Sequence, residues 1–102
     1  MKTELTNRAL KEISKLEKPV QNAIFDYLES LEQYSIQEIY DHGAKDLKGN
    51  LKGLIRFKDQ SFKDHRLVGT KRGDQIVIIL CCDPRRDVYK NKDKMAREAR
   101  RK

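Results

Sequence analysis

Residues 54–82 read LIRFKDQSFKDHRLVGTKRGDQIVIILCC, and the apolar pattern of this segment sets the architecture of the chain. Apolar and polar residues alternate at its start, which predicts a strand over Leu54–Lys58, and a second strand is predicted over Asp64–Thr70. The nearly all-apolar run Gln75–Cys82 predicts a central strand that is buried on both faces. The segment Arg72–Asp74 has turn residues suited to a hairpin, so an antiparallel sheet is expected.

Two helices are predicted before this sheet. Thr6 can cap the first, over residues 6–17, and Pro19 suits the first turn of the second, where its missing N–H would have no partner anyway. Each helix carries an apolar stripe, so the two are expected to form a hairpin that covers one face of the sheet. A short edge strand is predicted over Met1–Leu5, and a helical turn is expected to open at the capping box Ser35–Glu38, with a loop after it.

The predicted fold class is therefore α+β: an N-terminal helical hairpin packed on a small antiparallel β-sheet, followed by a short C-terminal helix or a disordered basic tail over residues 90–102. All 102 residues are expected to form a single domain, 1–102, because this length suits one modest core. The sequence has no apolar run that could span a membrane and no apolar signal segment near its start, so a cytoplasmic location is expected. Cys81 and Cys82 are adjacent and would face opposite ways on a strand, so neither a disulfide nor a zinc site is expected.

The positive charge of the chain is concentrated in its C-terminal half. Residues 1–46 contain 6 Lys or Arg against 9 Asp or Glu, whereas residues 47–102 contain 17 against 7, within an overall net charge of +7. Such an asymmetry indicates a polyanionic partner for the second half. RNA, DNA, an anionic membrane and an acidic protein all fit this pattern equally well.

Alternation along the strands selects the candidate functional residues. Arg56 and Lys58 are two positions apart and share a face, whereas Ile55 and Phe57 point into the core. Arg66 lies on the second predicted strand. Three further candidates follow the central strand, where a loop could return them over the sheet: Arg85, Arg86 and Tyr89. Together these cations could neutralise a phosphate, and the tyrosine could stack on a base or handle a proton. The alternative is a solvated basic face that binds nothing specific.

Four motifs make the chain resemble a known family. RALKEISKLEKPVQNAI, starting at Arg8, is followed by LKGNLKGLIRFK from Leu47, DHRLV from Asp64 and RRDVYK from Arg85. In this order and spacing they resemble the RelE/ParE superfamily of bacterial toxins from type II toxin–antitoxin modules. The first motif is similar to the family's helical hairpin, and the others are similar to its basic strands and its terminal Arg/Tyr motif.

The resemblance implies a ribosome-dependent RNase that cleaves mRNA without a metal ion or other cofactor. The reaction it implies is attack of an RNA 2′-OH on the adjacent phosphate, which leaves a 2′,3′-cyclic phosphate. The partners it implies are a cognate antitoxin, the ribosome and mRNA, with no membrane and no metal. The catalytic positions that it implies are Arg56, Lys58, Arg66, Arg85, Arg86 and Tyr89. The lysines expected to bind RNA are Lys48, Lys52, Lys63, Lys90 and Lys92.

The chain departs from the family pattern at particular positions. Gly69 follows Arg66-Leu67-Val68 where the family often has an aromatic residue, and Asp83-Pro84 precedes the terminal arginines. Two other functions remain open at this stage. One is a ParE-like toxin that targets gyrase and cleaves no RNA, and the other is a non-catalytic module that binds nucleic acid through its positive charge.

Overall fold

A computed structural model of the protein describes residues 1–83. The helices and strands, in chain order, are β1 (Lys2–Leu5), α1 (Asn7–Ser14), α2 (Lys18–Leu31), β2 (Ala44–Asp46), β3 (Ile55–Phe57), β4 (Arg66–Arg72) and β5 (Gln75–Cys82). Short 3₁₀ turns occupy Glu38–Asp41, Gly49–Leu51 and Gln60–Phe62. The predicted tail over 90–102 lies outside the described residues. No helix within the described part of the chain is long and apolar enough to cross a membrane.

The five strands form one mixed sheet in the order β1-β5-β4-β3-β2. The pairs β2–β3, β3–β4 and β4–β5 are antiparallel, but β1 runs parallel to β5. The prediction of a purely antiparallel sheet was therefore wrong. Alternation specifies which face a side chain takes and not the direction of the neighbouring strand. Strand β2 lies where a loop was expected, because three residues are too few to display a period of two.

Local signals placed the two helices correctly. The Thr6 hydroxyl caps α1 by accepting a hydrogen bond from the Ala9 amide at 3.1 Å, and it donates to the Ile79 carbonyl at 2.8 Å. Pro19 lies in the first turn of α2. The α+β class and both helices are thus confirmed, while the antiparallel hairpin arrangement of the helices stays a prediction.

Apolar side chains are buried on both faces of the sheet. The larger core lies on the helix side, where Ile55, Phe57 and Leu67 pack against residues of α1 and α2. A smaller apolar cluster lies on the opposite face, which the sequence predicts to carry the basic residues Arg56 and Lys58. Its members are Leu51, Leu54, Val68, Ile79, Leu80 and Cys82. Cys81 belongs to the larger core and Cys82 to the smaller cluster, so the two thiols face opposite sides as predicted.

A β-bulge between β4 and β5 explains the glycine at position 69. Val68 pairs with Leu80 but Gly69 pairs with Ile78, so Ile79 is an extra residue in β5. A β-carbon on Gly69 would lie 2.6 Å from the Val77 carbonyl oxygen, which leaves no room for a side chain. The departure from the family pattern at this position is therefore tied to the packing of the bulge.

Candidate active site

The β3–β4 ladder defines the position of the basic residues. Arg56 pairs with Val68 and Phe57 pairs with Leu67, and Lys58 and Arg66 are the next residues along the two chains at the end of this register. Phe57 and Leu67 point into the helix-side core, and Arg56 and Arg66 therefore lie on the other face. Three of the predicted catalytic residues thus occupy neighbouring positions at the same end of this ladder.

Arg56 contains an unusual buried donor. The residue is only partly exposed, and its Nε is the single buried side-chain N or O atom without a hydrogen-bond partner in the described chain. Most buried polar groups in proteins are hydrogen-bonded, and an unpaired donor costs about 1–3 kcal/mol. The guanidinium as a whole, which carries the charge and lies beside other cations, is suited to an anionic ligand.

Lys45 adds a fourth cation that the sequence did not single out. It pairs with Arg56 across the β2–β3 ladder and is exposed to solvent. Paired residues on adjacent strands project from the same face, so Lys45 stands beside Arg56. The sequence pattern does not identify Lys45 because it predicts a loop at this position and not the strand β2.

Arg66 is oriented by the turn that precedes its strand. Its Nη1 donates hydrogen bonds to the carbonyl oxygens of Lys63 at 2.7 Å and His65 at 2.9 Å. The turn itself is stabilised by the Asp59 carboxylate, which accepts hydrogen bonds from the amide and hydroxyl of Ser61 at 3.1 and 2.6 Å. The guanidinium of Arg66 is therefore held in place before any ligand binds.

A cleft of about 700 Å³ opens at this end of the sheet, between α2 and the segment joining β3 to β4. It brings together three of the predicted site residues, Lys58, Lys63 and Arg66. The other lining residues are Tyr27, Ser30, Tyr34, Asp41, His42, Gly43, Asp59 and Gln60. His65, which neighbours Arg66 in the sequence, does not line it.

An ordered aromatic pair borders the cleft. The rings of Tyr34 and His42 are stacked, with centroids 3.8 Å apart and planes 7° apart. The Tyr27 hydroxyl donates a 2.6 Å hydrogen bond to the His42 carbonyl. Burial, and to a lesser degree the Asp59 charge, raises the pKa of Tyr27, which keeps this donor protonated. No sequence motif marks His42, because neither helical nor strand periodicity relates it to Tyr34 or Tyr27.

Lys48 and Lys52 do not join this site. They line a separate groove of about 670 Å³, together with Lys71, whose ammonium lies 5.0 Å from the Tyr40 ring centroid. The predicted residues Arg85, Arg86, Tyr89, Lys90 and Lys92 lie outside the described residues. In residues 1–83 no group of three or more His, Cys, Asp or Glu side chains could hold a metal ion.

Comparison with known proteins identifies the fold. No protein-family model and no curated protein matches the sequence. Among solved structures, a chain of the toxin–antitoxin complex RelBE2 from Mycobacterium tuberculosis is 18% identical, with a TM-score of 0.67, over 80% of this chain and 95% of that one. The YoeB dimer of Staphylococcus aureus is 22% identical (TM-score 0.59; 79% and 93% covered). The RelB–RelE antitoxin–toxin complex of Methanococcus jannaschii is 13% identical (TM-score 0.61; 85% and 95% covered). These TM-scores establish a shared fold despite the low sequence identities. They confirm the fold that the resemblance of the motifs implies.

Proposed function

We propose that this chain, which has the fold of the RelE and YoeB proteins, is the toxin of a toxin–antitoxin pair and cleaves mRNA on the ribosome. The observation that supports this best is the neighbouring placement of Arg56, Lys58 and Arg66 at one end of the β3–β4 ladder. A gyrase-directed toxin or a simple electrostatic patch has no need of such an ordered set.

The proposed reaction is transesterification within the RNA. The 2′-OH attacks its own 3′-phosphate, the bond to the 5′-oxygen of the next nucleotide breaks, and a 2′,3′-cyclic phosphate and a 5′-OH remain. Negative charge grows on the non-bridging oxygens of the phosphorane, where Arg56, Lys58 and Arg66 stabilise it. We assign Arg85 or Arg86 to the same set of cations. We assign Tyr89 to proton transfer in this reaction.

The surroundings of Arg56 favour this role. Val68, its cross-strand partner, is fully buried and belongs to the smaller apolar cluster with Leu80. A charge beside apolar groups interacts more strongly with a phosphate than one in bulk water. Arg56 is itself only partly exposed, so part of its charge is already shielded from bulk water before a phosphate binds.

The partners of the proposed activity are those that the family resemblance implies, and the charge distribution is compatible with them. The ribosome would present mRNA to the basic face, and an antitoxin with an acidic or amphipathic segment would cover the same face. Binding of this kind neutralises the excess positive charge of residues 47–102. The cytoplasm is the compartment in which these partners meet.

Mapping mRNA ends in a translating extract tests the proposal. The full chain should produce breaks in phase with codons, detected by primer extension. Arg56→Ala and Arg66→Ala should each lower the cleavage rate about 10²- to 10³-fold, and Tyr89→Phe tests the proton transfer assigned to Tyr89. Lys11→Ala, which removes one exposed charge from α1, is the matched control and should cleave normally. Intact mRNA together with stalled gyrase–DNA complexes would contradict the proposal.

A further inference from the structure

We propose that the cleft between α2 and the β3–β4 segment binds one nucleotide of single-stranded RNA, with its base stacked on the His42 ring. This subsite rests on the proposed function, because it would hold the nucleotide next to the cleaved phosphate. It adds a base-recognition element to a face that otherwise offers cations. The sequence motifs assign no role to His42.

The layered arrangement of the aromatic residues supports stacking. Tyr34 packs against the helix-side core, and its ring is stacked on that of His42 at 3.8 Å. His42 is exposed and lines the cleft. Tyr34 covers one face of the imidazole, and the proposed base stacks on the other. Stacking of this kind tolerates any base, because every base has a π-face.

The His42 backbone is held rigidly at this position. Its carbonyl accepts the 2.6 Å hydrogen bond from Tyr27, and the next residue, Gly43, accepts a 3.2 Å hydrogen bond from the Lys58 amide. Gly43 has φ of 102°, a conformation that favours glycine. The hydrogen bond between Gly43 and Lys58 therefore brings His42 close to Lys58, although sixteen positions separate them in sequence. A preorganised platform loses little entropy when a ligand binds.

Cations connect the subsite to the proposed catalytic face. Lys58 and Arg66 belong to the catalytic set and also line the cleft, where Lys63 joins them. Asp41 and Asp59 are the acidic residues of the lining, and the Asp59 carboxylate is engaged by Ser61. The strand of RNA can pass from the catalytic face into the cleft while its phosphates remain beside positive charge. The volume of about 700 Å³ falls in the usual range of small-ligand sites.

Binding of a non-cleavable RNA tests the subsite independently of catalysis. The probe is a fluorescein-labelled 2′-O-methyl oligoribonucleotide, titrated at low salt with the full chain and followed by anisotropy. His42→Ala should weaken binding about tenfold, the loss of one stacked base, whereas His42→Phe should restore affinity to within about twofold. Gln37→Ala, an exposed side chain on the same segment that does not line the cleft, is the control and should bind like the parent chain. Thermal melting of each variant separates lost stacking from lost folding.

The outcomes separate the subsite from the proposed function. Equal binding by His42→Ala and the parent chain would overturn the subsite, as would a failure of His42→Phe to restore affinity or an absence of RNA binding by the parent chain. Weaker RNA binding by His42→Ala and restored binding by His42→Phe, together with intact mRNA in the translating extract, would support the subsite and overturn the proposed nuclease activity. Cleavage of mRNA by the parent chain, together with unchanged RNA binding by His42→Ala, would support the nuclease activity and overturn the subsite.

Discussion

Gly43 packs against Lys58 so closely that a β-carbon at position 43 would run into the Lys58 carbonyl oxygen. The same two residues are joined by the hydrogen bond from the Lys58 amide to the Gly43 carbonyl. This contact fixes the spacing between the stacked His42 ring and the basic residues of β3 and β4. The glycine is required here both by its φ of 102° and by the lack of space.

Gly43→Ala should lower the free energy of unfolding by about 2–4 kcal/mol, because it combines a strained φ with a steric clash. Gly53 provides the matched control: its φ is 95°, yet no atom lies within 4 Å of the β-carbon position. Gly53→Ala should cost only the strain, about 1–2 kcal/mol. Urea denaturation of both variants measures the difference, and equal losses would contradict the packing described for Gly43.

Arg56→Met should separate stability from activity. The substitution removes the buried unpaired Nε while keeping an apolar stem beside Val68, so the free energy of unfolding should be unchanged or higher by up to about 1 kcal/mol. Cleavage in the translating extract should nevertheless fall about 10²-fold or more. Urea denaturation and primer extension on one preparation provide both values. A strongly destabilised variant would indicate that Arg56 is structural.

Glu12 should matter for stability through a single backbone hydrogen bond. Its Oε1 accepts from the Cys81 amide at 3.0 Å, at the end of β5 that β1 does not cover. Glu12→Ala leaves this amide without that acceptor and should cost about 1–3 kcal/mol, whereas Glu12→Gln keeps an acceptor and should cost less. The 3.5 Å ion pair of Glu12 with Arg8 lies near the surface, so Arg8→Ala should cost at most about 1 kcal/mol. A larger loss in Arg8→Ala than in Glu12→Ala would refute this ranking.

The Cys81 thiol should be unreactive in the folded protein. Burial, followed by the nearby Cys82 and Glu12, raises the pKa of Cys81 from 9.0 to about 12. The unfolded chain therefore loses this proton at lower pH than the folded chain, and the thiol's contribution to stability declines as pH rises from 9.0 towards about 12. In a Cys82→Ala background, a thiol reagent at pH 9 should label the urea-unfolded chain rapidly and the native chain slowly. Fast labelling of the native chain would show that the thiol is not protected.

Short-range sequence patterns determine much of the fold. The Thr6 cap, the Pro19 start of α2 and the inward direction of Ile55 and Phe57 all appear as predicted. The capping box also forms, since the Ser35 amide donates to Glu38 Oε1 at 3.0 Å and the Glu38 amide donates to Ser35 Oγ at 3.2 Å. These features depend on residues at most a few positions apart, so their physical causes are contained in the local sequence.

The sequence alone therefore determined the helices, the strands β1, β3, β4 and β5, and the face of Arg56. Only the tertiary structure decided that β1 runs parallel to β5, that Lys45 stands beside Arg56, and that Lys48 and Lys52 lie apart from Arg66. It also placed His42 on Tyr34 at the mouth of the cleft. The physical reason is that alternation and capping act between near neighbours, whereas strand direction and register depend on contacts between segments distant in the chain, and the stacking of His42 on Tyr34 depends on the path of the loop between them.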